Sequence, residues 1–306
     1  MILRNSRLTV EIADLGTTYQ GTRFDWTAFV VQVTLDHQHT FCVPESMIKG
    51  LGTGGIGLCG EFGISFPVGY HDAQPGETFP KLGVGLLTRP ENEYHDFAAD
   101  YELKPFPVRT QKGHDRIVYE MDPLPCRGYE ARLRKTVQIR DNILEISCEL
   151  ENVGTRPLHT HEYNHNFIAI NGQPAGPGYM LRLADGLALT PDDLSPLGIR
   201  SDGAVCWKSP VSAEFLCPAP GPFTATGPAW ELIHEPTGVG VKETVDFPIA
   251  HLDLWCAPHV IAPEVFVTIA LSPGERQSWR RSYEFFKPAV NGAPNNQSAL
   301  PEQNRP

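Results

Sequence analysis

Alternating or short apolar runs of strand length dominate this chain. Residues 28–35, 133–139, 143–150 and 265–271 each combine strand length with β-branched content. Turn residues such as Arg140-Asp141-Asn142 bound them. Long helical periodicity is hard to find, and 28 Gly and 28 Pro punctuate the chain. Many strands without alternating helices predict an all-β protein, a large antiparallel β-sandwich and not a doubly wound sheet. Residues 132–150 read as a hairpin turning at Asp141-Asn142, and a second turn follows at Asn152-Val153-Gly154. The pattern ends near Phe286, so 1–286 is expected to be one domain. Pro, Asn, Gln and Ser dominate 287–306, which reads as a disordered tail.

Composition agrees with one sizeable core: of 306 residues, 41% are hydrophobic and 20% charged. The formal net charge of −11 argues against nucleic acid and anionic membrane surfaces as partners, although a local basic pocket could hold one phosphate. No apolar run approaches the ~18–20 residues that span a bilayer, and the first residues lack the pattern of a secretory signal. The seven cysteines are scattered and form no CxxC pair, which indicates neither a disulfide framework nor a cysteine zinc site. A cytoplasmic protein without cofactor, monomeric or homodimeric, is expected.

Candidate chemistry concentrates in residues 152–172. If His159-Thr160-His161-Glu162-Tyr163-Asn164-His165-Asn166-Phe167 is one strand, His159, His161, Tyr163, His165 and Phe167 share a face. Three imidazoles and a phenol make a poor hydrophobic core. They suit a face that moves protons near neutral pH and stacks on a ligand.

Asn164-His165-Asn166-Phe167, after an Asn-x-Gly turn, resembles the signature strand of the aldose 1-epimerase (galactose mutarotase-like) superfamily, with Ile168 at the signature's second aromatic position. The resemblance implies the galactose mutarotase-like supersandwich and places the catalytic histidine at His165. A second similar segment is Leu252-Asp253-Leu254-Trp255 through Pro263-Glu264, followed by Leu271-Ser272-Pro273-Gly274-Glu275. It implies Glu264 as the catalytic carboxylate. A third lies at Gly60-Glu61-Phe62-Gly63 and Lys81-Leu82-Gly83, where Lys81 stands in place of the second histidine of the hexose-phosphate branch.

What the resemblance implies is an isomerase that opens and recloses a sugar ring at the anomeric carbon, with Glu264 as base and His165 as acid, and no metal. Lys81, His161, Tyr163, Glu61, Asp253 and Trp255 are the candidate contacts to a small-molecule carbohydrate. Three other readings stay open. His159, His161 and His165 approach a cupin-like metal site. The sandwich could bind carbohydrate without catalysis, or isomerise or cyclise a non-sugar substrate.

Overall fold

The hairpin expected at 132–150 forms. In this computed structural model, which describes residues 1–190 and 196–287, Ala131–Arg140 pairs antiparallel with Ile143–Asn152 in unbroken register. Asp141 takes the turn with φ of 51°, a conformation that Asp tolerates better than most residues. Burial along Ala131–Arg140 alternates at period two, so one face packs inward and the other meets solvent. This hairpin joins Arg276–Phe286 in a ten-stranded sheet.

Facing it is a nine-stranded sheet whose central strands run side by side in the order Leu58–Phe62, Leu158–Asn166, Val260–Leu271 and Ile249–Ala257. A small sheet of three strands, Thr78–Lys81, Gly85–Thr88 and Leu103–Pro105, completes the fold. Apart from one short 3-10 turn at Ile170–Gly172, the described residues hold no helix. The expected all-β antiparallel sandwich is therefore what forms. No helix among the described residues is long and apolar enough to cross a membrane. Of the expected tail, residues 288–306 lie outside the described residues.

Between the two large sheets lies an apolar core that includes Leu144, Leu150, Leu158, Leu252, Leu254 and Val265. Charged groups cross it. Arg281, 1% exposed, donates to Glu162 at 2.7 Å and to Glu243 at 3.0 Å. Trp279 and Trp230 add indole N–H donors to the same carboxylates, at 3.0 and 2.6 Å. Buried ions of this kind persist only when paired and hydrogen-bonded. This network attaches the inner face of Leu158–Asn166 to the opposite sheet, so the outer face of that strand is held in place from behind.

Candidate active site

Leu158–Asn166 alternates as its sequence predicts. Glu162, Asn164 and Asn166 point into the sandwich, where Asn164 donates to Tyr283 Oη at 3.0 Å and Tyr283 donates to Asn166 at 3.1 Å. The opposite face carries His161, Tyr163 and His165 toward an open cleft of about 860 Å³, which His161 and His165 line. The sheet register then builds the cleft floor in rows. Glu264 lies beside Asp253 on the next strand, and Phe266 lies beside Tyr163. Tyr163 and Phe266 stack at 4.4 Å, and Phe266 stacks with His251 at 4.0 Å.

The ladder between Leu158–Asn166 and Val260–Leu271 is continuous from Leu158↔Leu271 to Tyr163↔Phe266, then stops. It resumes with the same register at a single bridge, Ile168↔Ile261. Carried through the gap, that register sets His165 opposite Glu264 and Asn166 opposite Pro263. Pro263 has no N–H to give to a ladder, which is one cause of the break. The Asn166 carboxamide spans it instead, donating to the Pro263 carbonyl at 2.6 Å. Within the gap His165 Nε2 stands 2.9 Å from Glu264 Oε1. The approach is off the line of a hydrogen bond, so Glu264 Oε1 is buried without a hydrogen-bond partner; His165 Nδ1, the other ring nitrogen, is likewise buried without one.

Aromatic rings wall the imidazole. Phe167 stacks on it at 3.8 Å, Trp255 meets it edge-on at 5.2 Å, and Phe24 does so at 6.1 Å. Burial drives the His165 imidazole well below its ordinary range, and the Arg23 guanidinium nearby adds to this. Burial likewise raises the Glu264 carboxyl well above its ordinary value. Both directions favour the uncharged forms, a neutral imidazole beside a protonated carboxyl. Burial also raises Asp253, and the neighbouring Glu264 contributes to the rise. His161 and His251 are lowered by burial, so both face the cleft as neutral hydrogen-bonding groups.

Of the residues singled out from sequence, His161, His165, Asp253, Trp255 and Glu264 line the cleft together. Glu61, Lys81 and Tyr163 do not. They are fully buried one layer below, where Lys81 Nζ donates to Glu61 at 2.9 Å and Tyr163 donates to Glu61 at 2.6 Å. Arg23, which the sequence reading passed over, stands above them. It donates to Glu61 at 2.9 Å, to Tyr163 at 3.0 Å and to Thr53 at 3.1 Å, and it lines the cleft. Burial works to raise the Glu61 carboxyl, but Lys81 and Arg23 outweigh it and hold it below its usual range. Nothing local in the sequence marks Arg23, an isolated arginine between Thr22 and Phe24.

The three strand histidines do not converge. His159 is exposed, His161 half-buried and His165 buried. At about 3.3 Å per residue, the first and last stand about 20 Å apart, too far to share one ion. Among the described residues, no group of three or more His, Cys, Asp or Glu is placed to hold a metal ion.

A sandwich of this size and topology is the fold seen in solved structures of aldose 1-epimerase and galactose mutarotase-like proteins. A galactose mutarotase-like protein from Lactobacillus casei superposes with a TM-score of 0.57 at 14% identity, covering 94% of this chain and 99% of that one. A proposed aldose 1-epimerase from Escherichia coli K12 gives 0.55 at 13% identity over 94% and 98% of the two chains. An aldose epimerase homologue from C. elegans gives 0.52 at 12% identity over 94% and 98%. At such identities the likeness is one of fold. No protein-family model matches the sequence, and no curated protein sequence matches it.

Proposed function

We propose that the protein catalyses ring opening and closing at the anomeric carbon of an aldose-type sugar, with His165 and Glu264 exchanging protons with the substrate. The observation that carries this reading is their 2.9 Å approach on the floor of an open cleft, with no hydrogen bond between them. The anomeric hydroxyl and the ring oxygen are bonded to the same carbon. A proton acceptor and a proton donor only a few ångströms apart can therefore reach both oxygens at once.

The directions of the two shifts suit a resting state with neutral His165 and protonated Glu264. His165 then takes the proton of the anomeric hydroxyl. The bond from the anomeric carbon to the ring oxygen breaks, and that oxygen takes the Glu264 proton. The free aldehyde turns about its bond to the next carbon and recloses on either face, with both proton transfers reversed. The roles expected from the sequence, Glu264 as base at the anomeric hydroxyl and His165 as acid at the ring oxygen, start from the other distribution of the same proton, an imidazolium beside a carboxylate, whereas the two shifts favour the neutral pair. Each group plays both parts in one turnover.

Polarimetry of freshly dissolved aldoses tests the reading. The protein is expected to accelerate the approach to anomeric equilibrium. His165→Ala and Glu264→Gln are each expected to lower that acceleration by about 10²–10⁴-fold, the usual worth of a positioned acid or base. Unchanged acceleration in both variants would remove the pair from the chemistry.

A further inference from the structure

We propose that Lys135 and Asp25 condense within the folded chain, the lysine amine and the aspartate carboxyl forming an amide that ties the ten-stranded sheet to the wall of the cleft. Ring opening plays no part in this step.

The two groups meet in the core, each 1% exposed, with Lys135 Nζ 2.7 Å from Asp25 Oδ2. The contact is off the line of a hydrogen bond, and Oδ2 has no hydrogen-bond partner. Oδ1 is held differently: the Thr27 N–H and the Thr27 hydroxyl both donate to it, at 2.7 and 2.8 Å. Two donors on one carboxyl oxygen polarise the carbon and are already aimed at the charge that nucleophilic attack places on that oxygen. Glu162 supplies a proton acceptor, since its Oε1 is buried without a hydrogen-bond partner. Lys135 Nζ and Glu162 Oε1 lie 3.0 and 3.5 Å from the point that a Gly60 Cβ would occupy, so both use the space this glycine leaves. Gly83, at φ of 83°, makes room for Asp25, because a Cβ there would stand 2.4 Å from the carboxyl carbon. The Phe62 ring, its centroid 5.4 Å from Nζ, is one apolar wall.

Burial acts to lower the Lys135 ammonium, but the Asp25 carboxylate outweighs it and raises the group above its ordinary value. Burial raises the Asp25 carboxyl in spite of Lys135. The pair therefore starts as an ammonium beside a carboxylate. Such a pair is costly to keep from water, and an amide carries no charge. Condensation begins when one proton crosses the 2.7 Å contact from Nζ to Oδ2. The free amine attacks Cγ, a C–N bond forms, and an electron pair moves onto Oδ1 between the two Thr27 donors. Nζ gives a second proton to Glu162 Oε1, which passes it to Oδ2. The Cγ–Oδ2 bond breaks with its electron pair, and Oδ2 leaves as water. Nothing is oxidised or reduced, and Glu162 ends as it began. Fixed placement of amine and carboxyl supplies the effective concentration that the reaction needs. Lys135 belongs to Ala131–Arg140, whereas the Asp25 N–H donates to the Gly60 carbonyl of the cleft-bearing sheet at 2.8 Å. The amide thus anchors the segment that carries Arg23 to the far sheet.

The intact mass of the full chain, purified and then denatured, tests the link. It is expected to fall one water below the sequence mass, and a protease digest is expected to yield a branched peptide that carries both residue 25 and residue 135. The full sequence mass overturns the proposal. So does a loss of one water with the two peptides recovered apart, which places the dehydration elsewhere. Lys135→Arg keeps the positive charge without the amine and is expected at its full sequence mass; a missing water there is equally fatal. In chain made by cell-free synthesis, Thr27→Val removes one donor to Oδ1 and is expected to slow the loss of water about 10²-fold. Equal rates in the two chains overturn the step as written.

Discussion

An imidazole enclosed by Phe24, Phe167 and Trp255 loses most of its hydration, and with it the main support for a positive charge. The same desolvation acts on the Glu264 carboxyl in the opposite sense. The active form proposed for ring opening carries one proton, on the carboxyl. Activity should therefore fall on the acid side only below the ordinary imidazole value of 6.5, where His165 also protonates, and on the alkaline side as Glu264 ionises above its ordinary 4.5. A kcat/KM profile is expected to be bell-shaped, with two apparent values that belong to the pair. Glu264→Gln has a further consequence for stability. Between 4.5 and its raised folded value, Glu264 holds a proton in the folded chain that the unfolded chain has lost, so this group's contribution to stability declines as pH rises. The neutral amide of that variant does not titrate and carries no such penalty. Thermal melts should show a gain over the native chain that grows from pH 4.5 upward.

His165 and Glu264 were legible because each sits in a distinctive local segment. Arg23 was not, since its role comes from Glu61, Tyr163 and Thr53, which arrive from distant parts of the chain. Strand alternation assigns Tyr163 to the cleft face, and that is its face. Alternation says nothing of depth, and the ring of Phe266 covers it.

At the scale of the elements, the site is a local interruption of the sheet. Two neighbouring strands keep their register but drop their ladder between Tyr163↔Phe266 and Ile168↔Ile261. Asn166 maintains the spacing from inside the sandwich through its bond to the Pro263 carbonyl. Asn166→Ala removes that bond and the one Asn166 accepts from Tyr283, whose hydroxyl keeps Glu243 as acceptor at 3.3 Å, at a cost of about 1–3 kcal/mol. Chemical denaturation should report that loss. The kcat for anomerisation should fall by a larger factor than KM rises, because the proton-exchanging groups move apart while the cleft walls remain. The hairpin at 132–150 could be read from its alternation and turn residues. The pairing of 165 with 264 could not: register between distant segments is set by the assembled sheet, and a slip of one residue would turn Glu264 to the other face.

Across the whole molecule, the two large sheets are joined by charge as well as by apolar contact. Arg281 pairs with Glu162 from the cleft-bearing sheet and with Glu243 from its own. Replacing it with Met keeps the volume and strands two buried carboxylates. The expected loss is about 3–5 kcal/mol, measurable as a lower denaturation midpoint. The fold class could be read from the sequence because strand-like patterning recurs in segment after segment up to Phe286. The polar bridge escaped notice because Glu162 and Arg281 look like ordinary exposed residues of alternating strands until the sheets are stacked.

That bridge also bears on the order of events during synthesis. The guanidinium shared by Glu162 and Glu243 belongs to Arg276–Phe286, the last strand among the described residues. A ribosome makes the histidine-bearing strand more than a hundred codons before it makes that partner. Until then the two carboxylates favour water over the interior, so the half-made sandwich is disposed to remain open. Closure is thereby deferred until Arg276–Phe286 is made, after the strands of the cleft floor.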